Sequence, residues 1–194
     1  MSKKQYKIIL ASNSPRRREL LAGLDIDFTV RVLPDIDESY PKSIPTTDIA
    51  QFIAEKKADA YRADIIEDEL VITADTIVVC NNHVLGKPHN AEEARDMLLM
   101  LSGQTHDVIT GVCLTTQDKK RAFSVTTQVT FDTLSDQQID YYINHYRPFD
   151  KAGAYGIQEW IGFVGVSDLR GSYFNVMGLP VQRIYKELWN EFMA

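Results

Sequence analysis

The order of patterned segments predicts a mixed α/β fold, a twisted sheet of parallel and antiparallel strands flanked by helices. Two observations carry that expectation. Short apolar or β-branched runs alternate with helical periods, as in βα units. Among them stand a clear hairpin, "THDVITGVCLTT" and "AFSVTTQVTFDTL" joined by the polar "QDKKR", and a turn, "NNHVLGKP", with a short return strand. An all-parallel doubly wound sheet has no place for such hairpins.

Taken in chain order, "YKIILA" (6–11) is a short apolar run and reads as a buried strand. Ser14 and Pro15 then open a helix, Ser as N-cap and Pro in the first turn, with Leu20, Leu21 and Leu24 on one face. "FTVRVLP" alternates like a strand and runs into the acidic loop "DIDESYPKSIP", which Pro34, Pro41 and Pro45 keep from becoming helical. Thr46 or Thr47 is expected to cap a helix reaching about Asp64, with Ile49, Phe52, Ile53, Ala60 and Tyr61 as its apolar stripe. "LVITADTIVVC" is a β-branched run and reads as a central strand. Asn90 with Glu93 resembles a capping box, and that helix closes at Gly103. Ser135 with Gln138 caps another helix through "QIDYYINHY". The glycine-rich stretch from Pro148 to Pro180 carries strand-like pieces, and Pro180 opens a last helix, "VQRIYKELWNEF".

Composition narrows the function. The chain has 194 residues, 44% hydrophobic and 25% charged, with a formal net charge of -6. That length and apolar content suit one domain, or two lobes sharing one sheet. The negative balance and the lack of a basic stripe argue against a nucleic-acid partner. An acidic protein that binds an anion needs a local basic pocket or a metal ion. Cys80 and Cys113 lie in apolar runs without a CxxC pair and read as buried thiols, in keeping with a reducing cytoplasm. The N-terminal apolar run is too short for a signal peptide, and no stretch nears the roughly 20 apolar residues of a membrane span, so no membrane partner and a cytoplasmic location are expected.

Arg16, Arg17 and Arg18 follow the Ser14–Pro15 start directly. Cations at a helix N-terminus cost roughly 0.3–1 kcal/mol each, because the end already carries partial positive charge. An anion bound there reverses the sign, and free N–H groups with the Ser12 and Ser14 hydroxyls would serve it. A solvated basic turn is the plainer reading. Asp75 lies inside the apolar strand run, so it must meet a cation, accept hydrogen bonds or face a site; a purely structural ion pair is the alternative. Asp35, Asp37 and Glu38 in the acidic loop suit a hard divalent cation, or are simply hydrated. Lys56 and Lys57 share a helical side with apolar residues, where a lysine can also just snorkel. Lys87 in the stiff "LGKP" turn and Lys151 in "FDKAGAYGIQ" have weak individual claims. Gln158 follows a glycine pair, and its amide can both donate to and accept from a base edge; a surface glutamine is the alternative. His83, His89, His106 and His145 show no metal-ligand spacing and read as surface or turn residues.

Together these pieces resemble the Maf family of nucleotide pyrophosphatases. The segments that carry the resemblance are "LASNSPRRRELL", "DIDES", "AEKKA", "TADTIVV", "LGKP", "LSGQTHDVITGV", "PFDKAGAYGIQ" and "GSYFNVMGLP", in family order over nearly the whole chain, so 1–194 is read as one domain. The resemblance implies two lobes around a cleft, similar to inosine triphosphate pyrophosphatases. It also implies hydrolysis of nucleoside triphosphates to monophosphate and pyrophosphate with a divalent metal such as Mg²⁺, Mn²⁺ or Co²⁺. The family's motif positions fall on Ser12, Ser14, Arg16, Arg17, Glu38, Lys57, Asp75, Lys87 and Gln158. On that basis Asp75 and Glu38 are the metal-side carboxylates, with Asp75 also orienting or deprotonating water. Arg17, Lys57 and Lys87 hold the triphosphate, and Arg16, Thr76 and Gln158 form the base pocket. The chain resembles the dTTP/UTP-type group at Arg16, Thr76 and Gln158, where the 7-methyl-GTP-type group typically has Trp, Gln and Glu. Another nucleotide substrate, a modified pyrimidine nucleotide, or a non-catalytic nucleotide-binding regulator of division are the alternatives. Asn13 departs from the small residue common at its position and is expected to be tolerated. Homodimers are common in the family, and the aromatic-rich "IDYYINHYRPF" offers a contact.

Overall fold

The computed structural model describes residues 6–193; the first five residues of the segment read for a leader lie outside them. Seven strands form one mixed sheet: β1 (Lys7–Leu10), β2 (Phe28–Val30), β3 (Glu69–Cys80), β4 (His83–Leu85), β5 (Thr105–Thr115), β6 (Lys120–Phe131) and β7 (Val166–Arg170), in the order β2-β1-β3-β5-β6-β7 with β4 on β3. β1 is parallel to both β2 and β3, while β4 and β7 run antiparallel to β3 and β6. The helices are α1 (Pro15–Ala22), α2 (Thr46–Tyr61), α3 (Ala91–Leu101), α4 (Asp136–Tyr146), α5 (Trp160–Gly165), α6 (Tyr173–Val176) and α7 (Val181–Glu187). The mixed α/β architecture expected from the sequence is the one found.

The chain divides into two compact units. Of the described residues, the first takes in 6–75, 110–125 and 178–193, the second 76–109 and 126–177, so β3, β5 and β6 each contribute to both. In the first unit α2 lies close against the strands. Thr73 Oγ1 donates to the Ala54 carbonyl at 2.7 Å. Gly111 on β5 has no room for a side chain, because a Cβ there would stand 2.3 Å from the Ala50 backbone. The glycine therefore sets how closely helix and sheet approach. Tyr61, buried at the end of α2, donates its hydroxyl hydrogen to the Arg31 carbonyl and accepts from Leu33 N–H, which fixes the chain leaving β2. β2 accordingly stops at Val30 rather than continuing to Pro34. The second unit has its own core, in which Leu98 and Leu101 of α3 and Ile139, Tyr142 and Ile143 of α4 pack with Phe131 and Tyr155.

Local signals are realised with some corrections. Ser14 accepts from Arg17 N–H and Asn90 from Glu93 N–H, and Ser135 with Gln138 forms a full capping box. Glu93 gives its carboxylate to His89 instead of the Asn90 backbone, so that box is only half formed. Pro45, not Thr46 or Thr47, stands at the N-cap of α2, and no side chain caps it; the helix ends at Tyr61, where turns take over. Ala60 is exposed and does not belong to the buried stripe. The β3–β4 turn uses Asn81 and Asn82 with φ of 49° and 64°, the backbone of a two-residue hairpin loop. Both cysteines are free and buried, and burial pushes the Cys113 thiol up to about 11. His83, His89 and His145 are exposed as expected. His106 is not: it is buried, stacked on Phe131, with Nε2 at 2.7 Å from the Tyr155 hydroxyl. Among the described residues no helix is long and apolar enough to cross a membrane.

Candidate active site

The loop between β1 and α1 is folded on its own hydroxyls. Ser14 N–H donates to Ser12 Oγ at 3.2 Å, and Ser14 Oγ accepts from Arg17 N–H at 3.4 Å. In both contacts the hydroxyl oxygen is the acceptor, so the O–H of each serine is not spent in them. Of the three arginines, Arg18 turns outward and donates to Asn13 Oδ1. That contact lies on the exposed side of the loop. Arg17 turns inward, its Nε donating to the Gly178 carbonyl at 2.8 Å and Nη1 to the Ala74 carbonyl at 2.9 Å. Two of its five N–H donors thus tie the start of α1 to Ala74, the strand residue preceding Asp75, and to Gly178. Burial lowers the Arg17 guanidinium from its ordinary pKa, Asp75 and Glu38 oppose that shift, and neighbouring Arg16 adds to it. Arg16 and Thr76 also have interactions of their own.

The centre of the arrangement is Lys57. α2 carries it next to buried Ala58, and its ammonium lies 2.8 Å from Asp75 Oδ1 and 2.9 Å from Glu38 Oε1. The Lys57 and Asp75 side chains are each 14% exposed, whereas Glu38 is 56% exposed. The sequence-expected Ser12, Ser14, Arg16, Arg17, Glu38, Lys57 and Asp75 thus fall in one unit, with Glu38 and Asp75 meeting on Lys57. Lys87, Thr76 and Gln158 belong to the second unit. Lys87 is exposed and follows Gly86, whose carbonyl accepts from Gly153 N–H at 3.0 Å. Gln158 is half-buried.

Two further lysines, Lys56 and Lys151, hold acids that adjoin Glu38 and Gln158 in the chain. Lys56 donates to Asp37 Oδ2 at 2.6 Å and to the Ser39 carbonyl and hydroxyl, clasping the acidic loop on either side of Glu38. That ammonium, together with Ser39, holds the Asp37 carboxyl down to about 2. Lys151, given only a weak claim, is buried and paired with Glu159 and Asp150. The available signal was physical: a lysine in a glycine- and alanine-rich, buried segment requires an acid nearby.

For a metal, the donor set is oxygen-only and small. No cluster of three or more His, Cys, Asp or Glu able to hold a metal ion exists among the described residues. Asp75 and Glu38 each give one oxygen to Lys57, leaving a second carboxylate oxygen on each. Two carboxylates suit a Mg²⁺-like ion that takes its remaining ligands from water and substrate phosphates, and do not suit a dedicated protein cage or a soft metal.

The sequence matches the family described as Maf-like protein over residues 7–191. It is 62% identical over 184 residues to the dTTP/UTP pyrophosphatase of Phocaeicola vulgatus, covering 95% of each chain. It is 60% identical over 185 residues to the protein of that name in Parabacteroides distasonis, covering 95% of this chain and 96% of the other. A solved structure of a HAM1 protein from Coxiella burnetii aligns at 12% identity and a TM-score of 0.42, over 66% of this chain and 73% of that one. The family match takes in every residue of the Lys57 cluster as well as Lys87 and Gln158, and the relatives align along nearly their full length: the chain belongs to the Maf family.

Proposed function

We propose that this chain is a nucleoside triphosphate pyrophosphatase that hydrolyses dTTP and UTP to the monophosphate and pyrophosphate. The observation that carries the reading is the pair of carboxylates, Asp75 and Glu38, meeting on Lys57 beside Arg17 and the start of α1. The names of the relatives, dTTP/UTP pyrophosphatase, support the substrate. In this proposal water attacks the α-phosphorus in line, the bond from that phosphorus to the bridging oxygen breaks, and the electron pair leaves with pyrophosphate. Asp75 accepts the proton of the attacking water. A divalent cation such as Mg²⁺, Mn²⁺ or Co²⁺, held by Asp75 and Glu38, would neutralise phosphate charge and acidify water. Ser12, Ser14 and the N–H groups opening α1 receive phosphate oxygens. Arg17, Lys57 and Lys87 offset charge on the leaving group. Arg16, Thr76 and Gln158 are assigned to the pyrimidine, whose edge presents acceptor, donor and acceptor. A homodimer, common in the family, belongs to the same proposal and is read by sedimentation.

The test is a panel of canonical and modified nucleotides with pyrophosphate detection, with and without each cation. Release from UTP and dTTP above 7-methyl-GTP and purine triphosphates is expected. Nucleotide binding with no pyrophosphate release at any cation would replace the enzyme reading by that of a non-catalytic binder. In ¹⁸O-labelled water the label is expected in the monophosphate; label in the pyrophosphate would place attack at the β-phosphorus.

A further inference from the structure

We propose that Tyr142, Glu159 and Lys151 are positioning residues that hold the Gln158 amide at one orientation and so set discrimination between pyrimidine and purine triphosphates; this rests on the reading of Gln158 given above.

Gln158 sits in a four-residue turn, Gly156–Glu159, that closes on itself: Glu159 N–H donates to the Gly156 carbonyl at 3.0 Å. The turn is then gripped from α4. The Tyr142 hydroxyl accepts from Gly156 N–H at 2.9 Å and donates to Glu159 Oε2, so one phenol binds both ends of the turn. The other carboxylate oxygen of Glu159 lies 3.1 Å from Lys151 Nζ, and Lys151 is held again by Asp150 at 2.8 Å. The packing leaves no slack. A Cβ on Gly156 would stand 2.9 Å from the Glu159 carboxyl carbon and 3.0 Å from Lys151 Cε.

Tyr142 is fully buried and Lys151 nearly so. Drawing an acid and an ammonium into that interior gains little stability over apolar packing of the same volume. What a fully satisfied polar network does supply is a single geometry. A base-reading amide needs that geometry. Its oxygen and nitrogen must each meet the complementary group of the pyrimidine edge, and a tilted amide leaves both unpaired. The network binds Gly156 N–H and the Glu159 carboxylate, on either side of Gln158, and among the described residues none of its hydrogen bonds or ion pairs goes to the Gln158 side chain, which is left to a ligand.

The test uses the full chain and compares Tyr142→Phe and Glu159→Gln with Gln158→Ala. For each, kcat and KM are measured with UTP, dTTP and GTP, and the melting temperature is recorded. We expect the UTP-over-GTP ratio of kcat/KM to fall roughly tenfold or more in Tyr142→Phe and Glu159→Gln, through a higher pyrimidine KM with kcat largely kept. A merely structural role would lower the melting temperature and leave that ratio unmoved. If Gln158→Ala changes the ratio and the two network variants do not, the positioning role is overturned and the reading of Gln158 stands. If none of the three changes it, Gln158 does not read the base and both fall. Should Tyr142→Phe fail to fold, Glu159→Gln, which keeps an oxygen for the phenol, carries the test.

Discussion

Two lysines in this molecule are each placed between two acids, and they do different work. Lys57 bridges Asp75 and Glu38; Lys151 bridges Glu159 and Asp150. Around Lys151 the network is closed, because Glu159 also takes the Tyr142 hydroxyl and the turn carrying it is bonded at both ends. Each cluster keeps one acid largely in solvent, Asp150 at 59% and Glu38 at 56% exposed; the difference lies in the more buried acid, since among the described residues the Asp75 carboxylate hydrogen-bonds to Lys57 alone. The difference teaches how to tell a structural charge cluster from a ligand-ready one. A buried cluster that satisfies its own polar atoms fixes shape. A cluster that keeps carboxylate oxygens and water access beside a helix N-terminus is built to receive a charged partner.

The comparison is broken most sharply at Asp75. Asp75→Asn keeps shape and removes the base and a metal-side charge, so pyrophosphate release is expected to fall by about 10³-fold, within the range usual for a lost acid–base group, while the far-ultraviolet spectrum stays unchanged. Full turnover would remove Asp75 from the chemistry. The two lysines give the next test. Lys57→Met is expected to lower turnover about 10²-fold, as for a lost electrostatic clamp, and to cost stability as well, because it strands the Asp75 carboxylate. Lys151→Met should cost about 3 kcal/mol of stability, because it strands the Glu159 carboxylate without its cation, while kcat with UTP is largely kept. Equal losses of turnover in both would erase the distinction.

His106 extends the contrast to a group that burial keeps neutral. Burial alone holds its pKa down to about 4, and its Nδ1 has no hydrogen-bond partner among the described residues. The unfolded chain therefore binds a proton at this residue between the ordinary value of about 6.5 and about 4, where the folded chain does not. Stability is full above that window, falls as the pH drops through it, and levels off below about 4, a loss of up to about 3 kcal/mol. Urea denaturation from pH 7 to 4 should show that slope, and His106→Gln should flatten it. The smallest effect is expected at Arg95, a third cation between two acids, Asp136 and Asp140, this time at the surface. Arg95→Ala should cost under about 1 kcal/mol, since exposed ion pairs are screened and pay side-chain entropy.

Much of this was legible in the residues themselves. The Ser14, Asn90 and Ser135 caps are visible because a cap and its partner lie three residues apart, and the β5–β6 hairpin because its strands adjoin a polar turn. The oddity of Asp75 within an apolar strand was equally plain. The burial of His106 was within reach, since alternation along β5 puts it on the side of Val108 and Thr110, all three buried. Its lack of ligand spacing spoke only to metals. The extra α2 turn to Asp64 was misread because propensity cannot see that Tyr61 is anchored to residues 31 and 33.

The sequence by itself determined the elements, their caps, the mixed character of the sheet and the need of Asp75 for a partner, because those follow from local hydrogen bonding, side-chain periodicity and the cost of burying charge. Only the tertiary structure decided that the partner is Lys57, eighteen positions away, and that Arg17 spends two donors on the Ala74 and Gly178 carbonyls. It also decided that Lys151 closes on Glu159 and, through it, on Tyr142. Such pairings depend on how closely helix and strand approach, here governed by the missing side chain of Gly111, and no one-dimensional pattern encodes that distance.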